Sequence, residues 1–357
     1  MHDLPFWLAL NCISVLGARR IQKLLQYCQG NAQAAFTLRA GQLTEAGLPP
    51  KVVDTILRER EKIDPFRELE RCHSLGVQVL TLKDATYPAL LKEIHDPPPV
   101  LYYRGQIEVL NSFAVAVVGS RKATAYGKTT AEKISYDLAH SEVVIVSGMA
   151  RGIDTYAHIG ALKGKGKTIA VLGCGLDICY PPENKGLREK IVRQGAVISE
   201  FPLGTPPKPA HFPMRNRIIS GLSRAVIVVE AAERSGALIT ADCALEQGRD
   251  VFAVPGSIKS PYSKGCHKLI KEGAAVAESA DDILLELGRE PVAKAENSGK
   301  ISAQAAAVLA SMEYEPVHFD TIVTACGLSA AELAVILTEL ELNGMIKKMA
   351  GNFYLRV

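Results

Sequence analysis

Six short runs of small and β-branched apolar residues punctuate the middle of the chain: Ala114 to Val118, Val143 to Val146, Thr168 to Leu172, Ala196 to Ser199, Ala225 to Val229 and Val251 to Val254. Each run is continuous rather than alternating, and helical sequence follows each one. Strands without a polar face must be buried on both sides, which helices wound onto both faces of a parallel sheet achieve. The pattern therefore predicts a doubly wound, Rossmann-like α/β sheet. Upstream the period changes. To about Gly76 apolar residues recur at helical spacing (Ile13, Leu16, Ile21, Leu24, Leu25, then Val52, Val53, Ile56, Leu57), interrupted by turns such as Leu48-Pro49-Pro50, and this predicts a small all-helical domain. Between the two, Asp84 to Pro88 and Asp96 to Gly105 hold too many prolines for a long helix and predict extended chain leading into the sheet.

Beyond the α/β region lies a polar stretch of linker composition, Gly288 to Lys300. After it come apolar helices around Ala305 to Leu309, Phe319 to Ala325 and Ser329 to Leu342, then a hairpin from Met345 to Leu355 turning at Gly351-Asn352. Three helices followed by a β-ribbon describe a winged helix. The chain thus divides into a helical domain (1–76), an α/β domain with its lead-in (77–288), a linker (289–300) and a winged helix (301–357).

Composition narrows the function classes. The 357 residues are 48% hydrophobic and 22% charged, with a net charge of +3, so an anion site must come from local clustering rather than from the global field. Phe6-Trp7-Leu8-Ala9-Leu10 lacks the basic flank of a signal peptide, and no apolar run is long enough to span a bilayer. The eight cysteines form no C-x-x-C pair, as expected of reduced thiols in a cytosolic chain without a metal site. In the winged helix, Glu313, Glu315, Asp320, Glu332, Glu339 and Glu341 outnumber Lys347, Lys348 and Arg356, a balance that favours a protein contact or a structural role over DNA reading.

Local clustering is concentrated where the strands end. In open parallel sheets ligands bind beyond the carboxyl ends of the strands. There the chain places Gly119-Ser120-Arg121-Lys122, Ser147-Gly148-Met149-Ala150-Arg151-Gly152-Ile153-Asp154, Gly173-Cys174-Gly175 and, after Phe212-Pro213, the run Arg215-Asn216-Arg217-Ile218-Ile219. Glycine lets backbone N–H groups approach an anion, and arginine offers phosphate a planar fork that keeps its charge. No G-x-G-x-x-G fingerprint is present, which weighs against a dinucleotide cofactor. Asp154, in a first helical turn, suits capping as well as base catalysis, and Ser235-Gly236 suits an N-cap as well as a phosphate cradle. Ser14 to Arg20 followed by Leu24-Leu25 resembles a helix-hairpin-helix, although a glycine turn between two packed helices is the favoured reading.

Taken together these motifs resemble the DprA/Smf family, the DNA-processing proteins of bacterial natural transformation. The resemblance runs through Gly119-Ser120-Arg121 with Tyr126-Gly127, Ser147-Gly148 to Ala157-His158, Gly173 to Asn184, Phe212 to Ile219, and Glu230 with Ser235 to Ala241. It implies a SAM-like helical N-terminal domain, no catalysis and no cofactor. It also implies single-stranded DNA binding, a homodimer formed through the Rossmann-like domain, and RecA recombinase as partner. By analogy it assigns phosphate contacts to Ser120, Arg121, Lys208, Arg215 and Arg217, base stacking to Phe212 and backbone donation to Gly119, with Asn216, Ser235 and Gly236 completing the site. The two arginines also suit a structural role, pairing with Asp154, Asp177 or Glu230, and Phe212 also suits a core. His158 is read as a packed or capping histidine. The rival from another class is a Rossmann-like nucleotide hydrolase, whose Gly-Gly-x-Gly-Thr loop is not visible here.

Overall fold

A computed structural model describes residues 3–291, 302–312 and 315–356. Most of the linker lies outside the described residues. The central sheet has nine strands: β1 (Gln78–Thr81), β2 (Val100–Gly105), β3 (Ala114–Val118), β4 (Val144–Ser147), β5 (Thr168–Val171), β6 (Ala196–Ser199), β7 (Ala225–Val228), β8 (Asp250–Ala253) and β9 (Ala275–Val276). Their order is β1-β2-β6-β5-β4-β3-β7-β8-β9. All pairs are parallel except β1 with β2 and β2 with β6. Of the lead-in segment, Val100–Gly105 is extended as expected and with β1 adds an antiparallel pair to one edge of the sheet, whereas Asp84 to Pro88 forms turns ahead of a short helix, Ala89–Lys92.

The six continuous runs become β3 to β8, and β3 to β7 are buried along their whole length. Because side chains alternate across a strand, β3 sends Ala114, Ala116 and Val118 to one face and Val115 and Val117 to the other. The first face is covered by helices His211–Gly221, Gly236–Glu246 and Lys264–Lys271, through Ile218, Ile219, Ala241, Ala244 and Leu269. The second is covered by Ala125–His140, Ile153–Lys163 and Ala280–Glu286, through Ile134, Leu138, Ala157 and Ile283.

The 1–76 region is helical, from Leu4–Cys12 to Pro65–Ser74. Its apolar residues, among them Leu8, Ile21, Leu24 and Leu43, form one continuous cluster with Val100, Tyr102, Ala170, Val197 and Ile191 of the sheet and its Lys185–Gln194 helix. The turn resembling a helix-hairpin-helix is satisfied from within: the Glu59 carboxylate accepts from Ser14 N (2.8 Å) and Ser14 Oγ (2.7 Å), and Arg20 donates to the Val15 carbonyl at 2.6 Å. That favours the glycine turn between packed helices.

The C-terminal domain is a winged helix. Helices Ala303–Ser311, Phe319–Cys326 and Ala330–Leu342 bury Val308, Ile322, Leu333, Ile336, Leu337 and Leu340 beneath a ribbon of order β10 (Val317–His318), β12 (Phe353–Arg356), β11 (Ile346–Met349). Ser329 and Glu332 form a reciprocal capping box at the start of the third helix. Among the described residues no single helix is long and apolar enough to cross a membrane.

Candidate functional site

The winding of the sheet reverses between β3 and β7, and an open α/β sheet has its crevice at such a switch point. A cleft of about 550 Å³ lies there, lined by Gly119, Ser120, Arg121 and Lys122 after β3, by Asp154, by Phe212, Arg215 and Asn216 of the His211–Gly221 helix, and by Ser235, Gly236 and Thr240 after β7. The two loops are tied together: Ser120 N donates to the Glu230 carbonyl at 2.7 Å, and the Glu230 carboxylate accepts from Thr124 N (2.9 Å) and Thr124 Oγ1. Gly127 makes this approach possible, since a Cβ there would stand 2.3 Å from the Glu230 carboxylate. Glu230, buried and committed to Thr124, is thereby a scaffold for the first loop.

The cations of the cleft are of two kinds. Arg121 is exposed, with its guanidinium carbon 4.7 Å from the centroid of the Phe212 ring, a cation–π arrangement that holds the planar fork over the aromatic face. Tyr180 extends the aromatic surface, its ring centred 5.6 Å from that of Phe212. Arg215 is only 3% exposed, 6.0 Å from the same ring, and donates to the Val171 carbonyl. Its guanidinium fills the space above Gly148, where a Cβ would come within 2.1 Å of Nη1. Burial pulls Arg215 down to about 10, opposed by the Asp154 carboxylate, so it remains cationic at neutral pH. Burial likewise pushes the Asp154 carboxyl up, against the pull of Arg215, the Ala150 N–H at 3.2 Å and Arg121. Asp154 is thus the countercharge of a buried arginine, and the charge offered to solvent comes from Arg121 and Lys122.

The remaining groups are small donors. Ser120 Oγ accepts from Lys122 N at 3.1 Å and retains its own proton to donate. Ser235 caps the Gly236–Glu246 helix, its Oγ accepting from Ala237 N at 3.3 Å, while Asn216 ties that helix start down by donating to the Gly236 carbonyl at 3.2 Å. His158 is fully buried. Its Nδ1 lies 2.7 Å from Thr168 Oγ1, which itself donates to the Ile145 carbonyl at 2.6 Å, and burial lowers the ring to about 3, so it packs as a neutral imidazole.

Of the residues expected from sequence to form the site, Gly119, Ser120, Arg121, Phe212, Arg215, Asn216, Ser235 and Gly236 line this one cleft. Lys208 is exposed outside the lining. Arg217 requires a correction. It faces away from the cleft and is gripped by Glu200 through two hydrogen bonds (2.8 and 2.6 Å) and by Asp96 at 3.0 Å. Two carboxylates on one guanidinium leave it no charge for a phosphate, so it joins the lead-in segment to the loop after β6. Its partners are also other than the Asp154, Asp177 and Glu230 weighed from sequence. Tyr180, Lys122 and Tyr262, absent from the expected set, stand in the lining. The Tyr180-Pro181 motif was visible, but nothing in the spacing placed its ring beside Phe212.

Residues 78–288 match the family model described as DNA recombination-mediator protein A, and residues 290–352 match the DprA winged helix domain. The chain is 36% identical, over an alignment of 392 positions, to Protein Smf of Synechocystis, covering 98% of each. It is 52% identical over 206 residues to DNA processing protein DprA of Streptococcus pneumoniae, covering 58% of this chain and 73% of that one. Among solved structures, DprA of Streptococcus pneumoniae aligns with a TM-score of 0.69 and 42% identity, over 79% of this chain and 96% of that one. DprA of Helicobacter pylori, solved for its single-stranded DNA binding mode, aligns with a TM-score of 0.54 and 31% identity, over 59% of this chain and 95% of that one.

Proposed function

This chain belongs to the DNA recombination-mediator protein A (DprA/Smf) family, and from that premise we propose that its switch-point cleft binds single-stranded DNA. The observation that carries the reading is the Arg121 guanidinium held over the Phe212 ring at the mouth of a cleft whose floor is the buried Arg215. A single strand offers alternating phosphates and unpaired bases. An exposed arginine beside an aromatic face meets both at once, without reading sequence. Small donors at Ser120, Ser235 and the backbone of Gly119 and Gly236 then orient the phosphates.

The same premise supports a place in natural transformation, with the protein acting in the cytoplasm as a homodimer through its Rossmann-like domain and helping to load RecA recombinase on the strand it holds. The commitments of the two buried carboxylates support binding without catalysis over a nucleotide hydrolase: Glu230 is engaged by Thr124, and Asp154 neutralises Arg215.

The test is fluorescence anisotropy of labelled oligo-dT against the matching duplex, for wild type and Arg121→Ala, across a salt series. Expected are preference for the single strand, a steep fall of affinity with salt, and a loss in the variant with a shallower salt slope. Absence of binding by wild type at low salt would overturn the reading, and release of free base from nucleotides would replace it with the hydrolase.

A further inference from the structure

Arg151 stands beside the cleft and outside the set of residues that line it. It lies in the loop after β4, and β4 neighbours β3 in the sheet. That loop is pressed against the one after β3. Ile153 N donates to the Ser120 carbonyl at 3.2 Å, and Gly152, at φ +74°, comes so close that a Cβ would stand 2.2 Å from the Ser120 carbonyl oxygen. Ala150 and Asp154, on either side of Arg151 in sequence, both line the cleft. The Arg151 side chain is 62% exposed and pairs with the Glu183 carboxylate, 49% exposed, in the segment that begins with the cleft-lining Tyr180.

The Arg151–Glu183 pair bridges the loops after β4 and β5, yet those loops are already tied by other groups. Buried Asn184 donates to the Met149 carbonyl at 3.0 Å and to Thr155 Oγ1 at 2.9 Å, and Thr155 Oγ1 donates to the Ala150 carbonyl at 2.7 Å. An ion pair between two exposed side chains adds little stability to such a junction. Glu183 is therefore dispensable as a clasp. Its effect is to occupy the Arg151 guanidinium with an anion, and arginine accepts phosphate through the same planar fork that it offers a carboxylate.

We propose that Arg151 is a further phosphate ligand of the strand held in the cleft, that Tyr180 stacks the base beside it, and that Glu183 is a built-in competitor which the strand displaces. The inference rests on the single-strand reading and extends it along the carboxyl edge of the sheet. The Tyr180 and Phe212 rings, tilted by 43° with centres 5.6 Å apart, offer two neighbouring faces, and each has an arginine near it: Arg121 over Phe212, and Arg151 beside Tyr180 through Glu183. Ring and cation thus occur twice in succession, which suits a strand of alternating bases and phosphates. The inner arginine has no carboxylate partner among the described residues, whereas the outer one must exchange its partner for phosphate. The outer contact is accordingly the weaker, and Glu183 sets how much weaker.

The test measures oligo-dT anisotropy across a salt series for the full chain as wild type, Glu183→Gln, Arg151→Ala and Arg151→Ala/Glu183→Gln. Glu189→Gln serves as a control, removing an equally exposed carboxylate on the Lys185–Gln194 helix. Glu183→Gln frees the cation and is expected to tighten binding about two- to fivefold at low salt, with a salt slope steeper by about 0.7, one further phosphate on a single strand. Arg151→Ala is expected to weaken binding, and in its background Glu183→Gln is expected to leave the slope unchanged. Thermal melts of all variants are expected to match wild type, because Asn184 holds the loops. Binding unchanged or weakened in Glu183→Gln overturns the proposal, as does a sharp drop in its melting temperature, which would make the pair a clasp. An equal gain in Glu189→Gln also overturns it, by reducing the effect to overall charge. Absence of binding by wild type overturns the cleft reading itself, and this inference with it, whereas the other failures leave the cleft reading standing.

Discussion

Replacing Arg217 separates a structural arginine from a ligand-binding one. Its side chain is 13% exposed and bridges Glu200, 11% exposed, to Asp96, 34% exposed. In Arg217→Met the Glu200 carboxylate keeps its burial and loses its counter-ion, while Asp96 is solvated enough to recover. Leaving one largely buried charge unpaired costs about 3 kcal/mol. In an α/β domain of this size that corresponds to a melting temperature lower by roughly 6–12 °C. The companion change Glu200→Gln removes the orphaned charge, so Arg217→Met/Glu200→Gln is expected to melt above Arg217→Met. Oligo-dT affinity, measured well below either transition, is expected to change less than about twofold, because the guanidinium does not face the cleft. A melting temperature unchanged in Arg217→Met, together with a tenfold loss of DNA affinity, would refute this reasoning and return Arg217 to the phosphate-binding set.

Phe212→Ala is expected to weaken oligo-dT binding by about 1–3 kcal/mol at an unchanged salt slope, since it removes a stacking face and no charge; a shallower slope would mean that the ring acts chiefly by positioning Arg121. Gly148→Ala drives a methyl group to 2.1 Å from Arg215 Nη1, and displacing that guanidinium is expected to cost about 1–3 kcal/mol of stability together with DNA affinity, read by urea unfolding and anisotropy. Burial lowers His158 from 6.5 to about 3, so below pH 6.5 the unfolded chain takes up a proton that the folded one refuses. Its stabilisation is complete above pH 6.5 and is lost by up to about 1.4 kcal/mol per unit as pH falls toward 3. Asp154, pushed up by burial, acts in the opposite sense, favouring the folded state at acid pH and losing that contribution as pH rises. Urea midpoints between pH 7 and 5 are expected to fall less steeply in His158→Gln than in wild type, and equal slopes would exclude the imidazole as the source. Ending the chain at Gly288 is expected to leave oligo-dT affinity within about threefold, given the acidic surface removed; loss of binding would give the winged helix a part in the DNA site.

The legible parts of this chain are those where one residue type has one use. Val115 to Val118 and Ala225 to Val228 read as buried parallel strands because nothing in them tolerates water on either face. Strand β2 is legible only as extended chain, because Val100 to Gly105 mixes Tyr and Arg into the strand and its antiparallel pairing with β6 depends on partners 91 to 97 residues on. Arginine shows the limit most clearly. Arg215 and Arg217 are two positions apart on one helix and therefore point in nearly opposite directions. One enters the cleft floor and the other meets Asp96, 121 residues away in sequence. Local density of guanidinium groups pointed to the cleft and did not say which of them faces it. Gly148 was readable as a loop glycine with access for an anion, and the group it admits is the protein's own Arg215.

The single apolar cluster joining the first 76 residues to β2, β5 and β6 makes those residues a lid rather than an appendage. Cut at residue 77, the chain would turn a wall of Val100, Tyr102, Ala170 and Val197 toward solvent and present it to every neighbouring molecule as an adhesive surface. A foreign N-terminal segment grafted in its place would have to carry a matching set of knobs. The sheet face and the helices that roof it are thus constrained to change together, and a graft across this boundary succeeds only when it transplants both.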